Sequence, residues 1–259
     1  MGAATDFEQI ILSVDNNHIE HVVIRHCPSL EIPTHIKELN YLLGLKVYNS
    51  TITNWCADAA ITWTSHPKLR FIFLVDVNMT TFPAGLLSPE FPQTMSQVVI
   101  SRSNLTEIPD NLDTIWPKKM VLLLEELQLT AFPEAVARLE SVYLSLALNN
   151  LSMIPETLFD GVYLPLVILN GNPFKSLPSS LTRRPILKWV NLVGTEIEDL
   201  PETPLCDRMI ANGQAATAIS MGFYGPVGVD CSPLWLGDGT LNWYPIGFET
   251  LRNPSYTIS

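Results

Sequence analysis

The chain has 259 residues, enough for one large domain or two small ones with a buried core. Hydrophobic residues make up 47%, mean hydropathy is +0.20 and only 16% of residues are charged, which excludes disorder along the whole length. With 15 basic residues against 26 acidic ones the net charge is −11, so nucleic acid and anionic membrane are repelled at long range.

Residues 1–18 read as an N-terminal lead-in or cap. The opening MGAATDFEQI has neither the basic segment nor the apolar stretch of a signal peptide, and Asp6 stands where N-myristoylation needs Ser or Thr. No run of about 18 apolar residues occurs, so no membrane span is expected. The chain is therefore expected to be cytosolic or a piece of something longer.

From residue 19 to 201 the sequence is periodic. Seven prolines, Pro33, Pro83, Pro109, Pro133, Pro155, Pro178 and Pro201, recur along it, and Cys56 fills the gap between the first two, giving eight anchors 22 to 27 residues apart. Counting back from each anchor, positions −1, −4, −9 and −11 are Leu200, Ile197, Leu192 and Val190 in the last unit, and Ile154, Leu151, Leu146 and Leu144 in the sixth. Of these 32 positions 31 are apolar, where the overall frequency of 47% predicts about 15; Ser29 is the exception. Alternating apolar residues at −11 and −9 predict a short strand with one face inward, and −4, −1 and +3 close a core behind it.

The order L-x-x-L-x-L-x-x-N/C-x-L-x-x-(I/L/F)-P resembles the leucine-rich repeat family, in its proline-containing subclass; Leu164, Val167, Leu169, Asn172, Phe174, Leu177 and Pro178 form a clear copy. The resemblance implies an α/β repeat fold, a right-handed solenoid with a parallel β-sheet on its concave face and irregular or short helical returns on the convex face. In this family an Asn, Cys or Thr at position −6 bonds the turn backbones of adjacent coils. Here that position reads Cys27, Ser50, Val77, Ser103, Leu127, Asn149, Asn172 and Thr195, so the third and fifth units are expected to be irregular. Lys119 and Ser141, at the first Leu position of the pattern, predict distortion in the fifth and sixth.

Residues 202–259 break the period and read as an irregular C-terminal cap or separate Gly-, Pro- and aromatic-rich module. The stretch from Cys206 predicts a short helix ending at Gly222. Cys231 to Gly239 loosely resembles the start of a Notch-type repeat, but no cysteine follows Cys231, so calcium binding is not carried over, even to Asp238. The caps of extracellular family members imply a disulfide between Cys206 and Cys231. Cys27 reads as a buried ladder thiol and Cys56 as a small turn residue, at corners too far apart to be bonded.

Chemistry is sparse. His18, His21, His26 and Cys27 are the only metal-like cluster, and strand alternation sends their side chains apart, so no metal is expected. No H-E-x-x-H, G-x-S-x-G or G-x-x-x-x-G-K-[ST] occurs; Ser65-His-Pro-Lys68 matches S-x-x-K without its companions, and Gly222, Gly225 and Gly228 lack the context of a nucleotide loop. No enzymatic activity and no cofactor are expected. An enzyme would need a polar pocket within residues 202–259, built for example on Asp207, Asp230 and Asp238 with Asp199. Four N-glycosylation sequons occur, at Asn49, Asn78, Asn104 and Asn150. Three lie five residues before an anchor, at one exposed turn, which favours an extracellular or cell-surface setting over a cytoplasmic one; the repeat's own preference for polar turns accounts for them equally well.

Strand alternation assigns positions −12, −10 and −8 to the concave face. There Tyr48, Phe71, Phe73, Val99, Val121, Leu123, Tyr143, Leu166, Ile168 and Trp189 form an apolar stripe, expected to be exposed and about 35–40 Å long over eight strands. The expected function is non-catalytic recognition of a protein or peptide, or of a second copy of this chain, on that face. The alternative is a scaffold or sensing ectodomain fragment of a larger receptor-like signalling protein.

Overall fold

The computed structural model describes residues 4–159, 166–180, 189–192, 194–197, 219–222 and 235–236. Helix α1 (Ala4–Ser13) buries Ile11 against the first coil, and Glu8 pairs with His35 at 2.8 Å. Each subsequent unit contributes one strand to a single sheet: β1 (His21–Arg25), β3 (Gly44–Asn54), β4 (Phe71–Asn78), β5 (Gln97–Ser101), β6 (Val121–Glu125), β7 (Tyr143–Ser145), β8 (Leu166–Ile168) and β9 (Trp189–Asn191). These strands are parallel and unshifted: Gly44, Phe71, Gln97, Val121, Tyr143, Leu166 and Trp189 pair in one row.

The inward side chains build the core. Leu45, Ile72, Val98, Leu122, Leu144 and Val167, all at −11, are fully buried with Val47, Leu74, Ile100, Leu124, Leu146 and Leu169 at −9. Each such side chain contributes about 1.5–3 kcal/mol by leaving water. The anchors open the returns, as proline's fixed φ favours at the start of a helical turn. Pro33, Cys56 and Pro83 each cap a 3₁₀ turn, and Pro133 caps α3 (Glu134–Arg138), which follows α2 (Leu112–Ile115). At +3, Ile36, Leu86, Leu112, Val136 and Leu158 drop into the core. The 27-residue third unit uses its extra length around His66, whose Nε2 lies 2.9 Å from the Ile36 carbonyl and whose Nδ1 faces the Thr62 amide. Burial holds this imidazole below its ordinary pKa, so it stays neutral.

Ser29, the one polar residue among the expected core positions, is exposed. The short strand β2 (Leu30–Glu31) shifts register by one residue, and Leu30 takes the vacant core place opposite Ile52. The break in the polar ladder at Val77 does not leave backbone groups stranded. There β3 and β4 run on past the usual strand end, Ser50 pairing with Val77 and Thr51 with Asn78, so sheet hydrogen bonds replace side-chain ones. At Leu127 the next amide, that of Gln128, donates to Leu105 O at 2.9 Å. Where the ladder is intact it is dense: Asn172 Nδ2 donates to Leu146 O and Leu169 O at 2.9 and 3.0 Å, and its Oδ1 accepts from Leu151 N at 3.1 Å.

Position −7, between strand and ladder residue, is left-handed in every coil. His26, Asn49, Asp76, Arg102, Glu126 and Leu148 have φ between 42° and 57°, and Gly171 and Gly194 have 66° and 70°. This conformation bends the chain between the concave strand and the ladder residue. Outside glycine, Asn, Asp and His accept it most readily. Lys119 and Glu140 are left-handed as well, ahead of β6 and β7, whose pairing keeps the common register.

One expectation for the C-terminal module fails. Ile219–Gly222 is not the end of a helix but strand β10, antiparallel to β9, with Met221 opposite Val190; β11 (Trp235–Leu236) pairs antiparallel to β10. The physical cause is the open edge of β9, whose unpaired N–H and C=O groups bind any extended segment more strongly than a lone helical turn stabilises itself.

Candidate binding surface

Strict register turns the sequence alternation into continuous columns. The −10 column runs Val23, Lys46, Phe73, Val99, Leu123, Ser145, Ile168 and Asn191, and the −8 column begins Arg25, Tyr48, Val75, Ser101 and Glu125. Tyr48, Phe73, Val75, Val99, Leu123, Tyr143, Ala147 and Ile168 form one apolar cluster, with Phe71, Val121 and Leu166 packed at its margin. Nine of the ten residues of the expected stripe are thus brought together. Trp189 belongs to β9 by its backbone; its side chain lies outside the described residues.

The exposure differs from the expected open patch. Val99 is 0% exposed and Phe73 2%, while Val23, in the same column on β1, is 43% exposed. Side chains in adjacent strands shield one another, yet a bare sheet face would leave Val99 partly wet. Phe71, Val121 and Leu166 stay half-buried on the −12 column.

Gly44 gives the face a notch. A Cβ there would collide with the Phe71 ring, which fills the gap, stacks on His21 at 5.7 Å and contacts Phe73 at 5.1 Å. Lys46 Nζ sits 5.3 and 5.4 Å from the two Phe ring centres, and burial lowers its pKa. Aromatic faces partly replace the water this ammonium has lost.

The polar residues of these columns were not singled out from sequence, although the same alternation places them. Gln97, Ser101, Glu125, Ser145 and Asn170 are all buried on the concave side. Glu125 is 0% exposed, and burial pushes its carboxyl up to about 7, with the nearby Ser145 hydroxyl holding the rise in check. Tyr48 Oη, Gln97 Nε2 and Asn170 Oδ1 have no hydrogen-bond partner. Burial also raises Tyr48, to about 12, and Tyr143.

Along the ridge of left-handed residues, Arg102 pairs with Asp76, and Asn49 Nδ2 lies 3.0 Å from His26 Nδ1 beside a cavity of about 570 Å³. His26, His21 and Cys27 do not converge, and among the described residues no three His, Cys, Asp or Glu side chains are placed to hold a metal. Cys27 and Cys56 are free thiols. Asn49, Asn78 and Asn150 are exposed; Asn104 is half-buried and its Oδ1 accepts from Met79 N at 2.7 Å. Cys206, Cys231, Asp199, Asp207, Asp230 and Asp238 lie outside the described residues. Among those described, no helix is long and apolar enough to cross a membrane.

Among solved structures the chain is similar to a leucine-rich repeat protein of Leptospira interrogans, at 20% identity and TM-score 0.57 over 68% of this chain and 45% of that one. It also matches an internalin of Listeria monocytogenes at 16% identity and TM-score 0.49 over 76% of this chain and 63% of that one. The leucine-rich repeat ectodomain of an Arabidopsis thaliana receptor kinase matches at 20% identity and TM-score 0.36, over 59% and 69% of the two chains. The first of these shows that the fold is a leucine-rich repeat solenoid, and the chain spans less than half the length of that protein. No protein-family model matches the sequence, and no curated protein matches it as a relative.

Proposed function

We propose that the chain is a non-catalytic recognition module whose concave face contacts a protein or peptide, built from coils of the proline-containing subclass. The observation that carries this reading is the apolar cluster on the concave sheet, laid over a second set of side chains that the solenoid does not need for its core. An extended or helical polypeptide matches a face of that length better than a small molecule does. The orphaned polar atoms of Gln97 and Asn170 offer a partner specific hydrogen bonds, and a desolvated Glu125 favours a partner with a donor at that point.

The accessible margin supplies the test. Phe71→Asp and Leu166→Asp, both at half-buried positions, are expected to reduce capture of the native partner at least tenfold while the unfolding midpoint stays that of the parent. Trp63→Asp, in the third return loop and 58% exposed, is the control and should bind normally. Retained capture by both concave variants would sink the reading. The exposed Asn49, Asn78 and Asn150 favour a secretory setting within this proposal. Protein from native tissue should then lose mass on treatment with an N-glycosidase; an unchanged mass places the chain in a compartment without glycosylation.

A further inference from the structure

We propose that the open edge of β1 is a self-association surface, on which two copies of this chain pair β1 with β1 antiparallel about a twofold axis at Val23. The inference is independent of the concave reading, because it uses the rim of the sheet and not its face.

The first argument is hydrogen bonding. β1 is the first strand of the sheet, and its one described neighbour is β3. Glu20 O accepts from Leu43 N at 2.7 Å, and His26 N donates to Tyr48 O at 3.2 Å. A parallel ladder uses alternate residues of a strand, so Glu20, Val22, Ile24 and His26 face β3. The N–H and C=O groups of His21, Val23 and Arg25 therefore point outward. Among the described elements α1 packs chiefly on the Thr34–Glu38 turn, not along this edge. An edge of this kind is a template for another strand. The opposite edge of the same sheet shows the demand met, since β10 lies antiparallel on β9.

The second argument is where apolar surface is left in water. Ile10 and Leu12 on α1, Val14 just after it and Val23 on β1 are four of the seven exposed large hydrophobics among the described residues, so the exposure is concentrated at this rim. Ile10, Val14 and Val23 line one cavity of about 1070 Å³ between α1 and β1, with Leu30 and Leu39 of the core at its back. A strand added to β1 lies across the mouth of this cavity and covers it.

The third argument is charge, and it selects the occupant. β1 is entered from Glu20 and left through Arg25 and His26, all three exposed. Antiparallel pairing centred on Val23 sets the Glu20 end of each copy against the Arg25–His26 end of the other, so one match is made twice; parallel pairing would set acid on acid. In this register the outward-facing residues meet one another, His21 across from Arg25 and Val23 across from its own counterpart, as an antiparallel ladder requires. The net charge of −11 opposes self-association at long range. Physiological salt screens that repulsion beyond about 8 Å, while the pairs at the edge are in contact.

The test is sedimentation velocity of the full chain over a dilution series. A reversible monomer–dimer equilibrium is expected, and a monomer at every concentration overturns the proposal. Val23→Pro removes the donors of both central hydrogen bonds and leaves the bonds to β3 in place, so it should weaken the dimer about tenfold. If that variant lowers the unfolding midpoint, the exposed charges carry the test: Arg25→Glu should weaken the dimer about fivefold, and adding Glu20→Arg should restore it. A dimer indifferent to these charges, or one that the double variant fails to restore, overturns the proposal. Facing residues of a hydrogen-bonded antiparallel pair lie about 5.5 Å apart at Cα, within disulfide range. Oxidised Val23→Cys should therefore yield two peptides joined at position 23 of both chains, and their absence overturns the proposed register. Leu166→Asp, on the concave face, should leave the dimer unchanged. A dimer that Leu166→Asp dissociates and Val23→Pro does not is built on the concave face and overturns the proposal.

Discussion

At the scale of single residues, Glu125 is the clearest departure from ordinary surface chemistry. It sits on a strand face, yet it is fully shut off from water. Its carboxyl ionises at about 7 in the folded chain against 4.5 unfolded, so between these values the folded state binds the proton more tightly. Stability from this group is complete below about pH 4.5 and is lost as pH rises through 7, a difference of about 3 kcal/mol at full ionisation. Urea midpoints measured at pH 5 and pH 8 should therefore fall with pH, and Glu125→Gln should flatten that part of the profile. An unchanged slope in the variant would show that the carboxyl is already paired or solvated. The concave aromatic positions were legible from alternation alone, because a strand has a period of two. The occlusion of Glu125 was not, since no local pattern reports what covers a face.

At the scale of elements, a polar ladder residue, where present, ties its coil to its neighbours, and the strength of the tie depends on the residue. Asn172 makes contacts to three backbone carbonyls and accepts one amide, all within buried turns, whereas Thr195 one coil further donates once, to Leu192 O at 2.8 Å. Replacing Asn172 by Leu is expected to cost about 2–4 kcal/mol, because the orphaned backbone groups cannot reach water; Thr195→Val should cost about 1 kcal/mol. Equal urea midpoints for the two variants would refute this ordering. The anchors and the core columns were legible in the sequence, since proline and apolar spacing act through local geometry; the extension of β3 and β4 was not. Nor were two further elements. The one-residue shift at Leu30 needs the neighbouring strand to supply Ile52 as its partner. Strand β10 follows from the open edge of β9 and not from the propensity of Ile219–Gly222.

At the scale of the whole molecule, two layers with different duties share one sheet. The inner columns exclude water and fix the solenoid; the outer columns form a second apolar cluster on the concave face. Composition could not separate them, because both draw on the same 47% of hydrophobic residues. Only register does. The left-handed residue at position −7 has a consequence for how such a molecule changes over generations. It returns the backbone to the same state at the same point of every coil, so Glu126 and Leu148 are equivalent junctions 22 residues apart. Excising residues 127–148 by unequal recombination would join Glu126 to Asn149 with strand register and ladder intact. The gene segment for one coil is thereby a cassette, and the breadth of the sheet can drift in steps of about 4.8 Å without any new fold being invented.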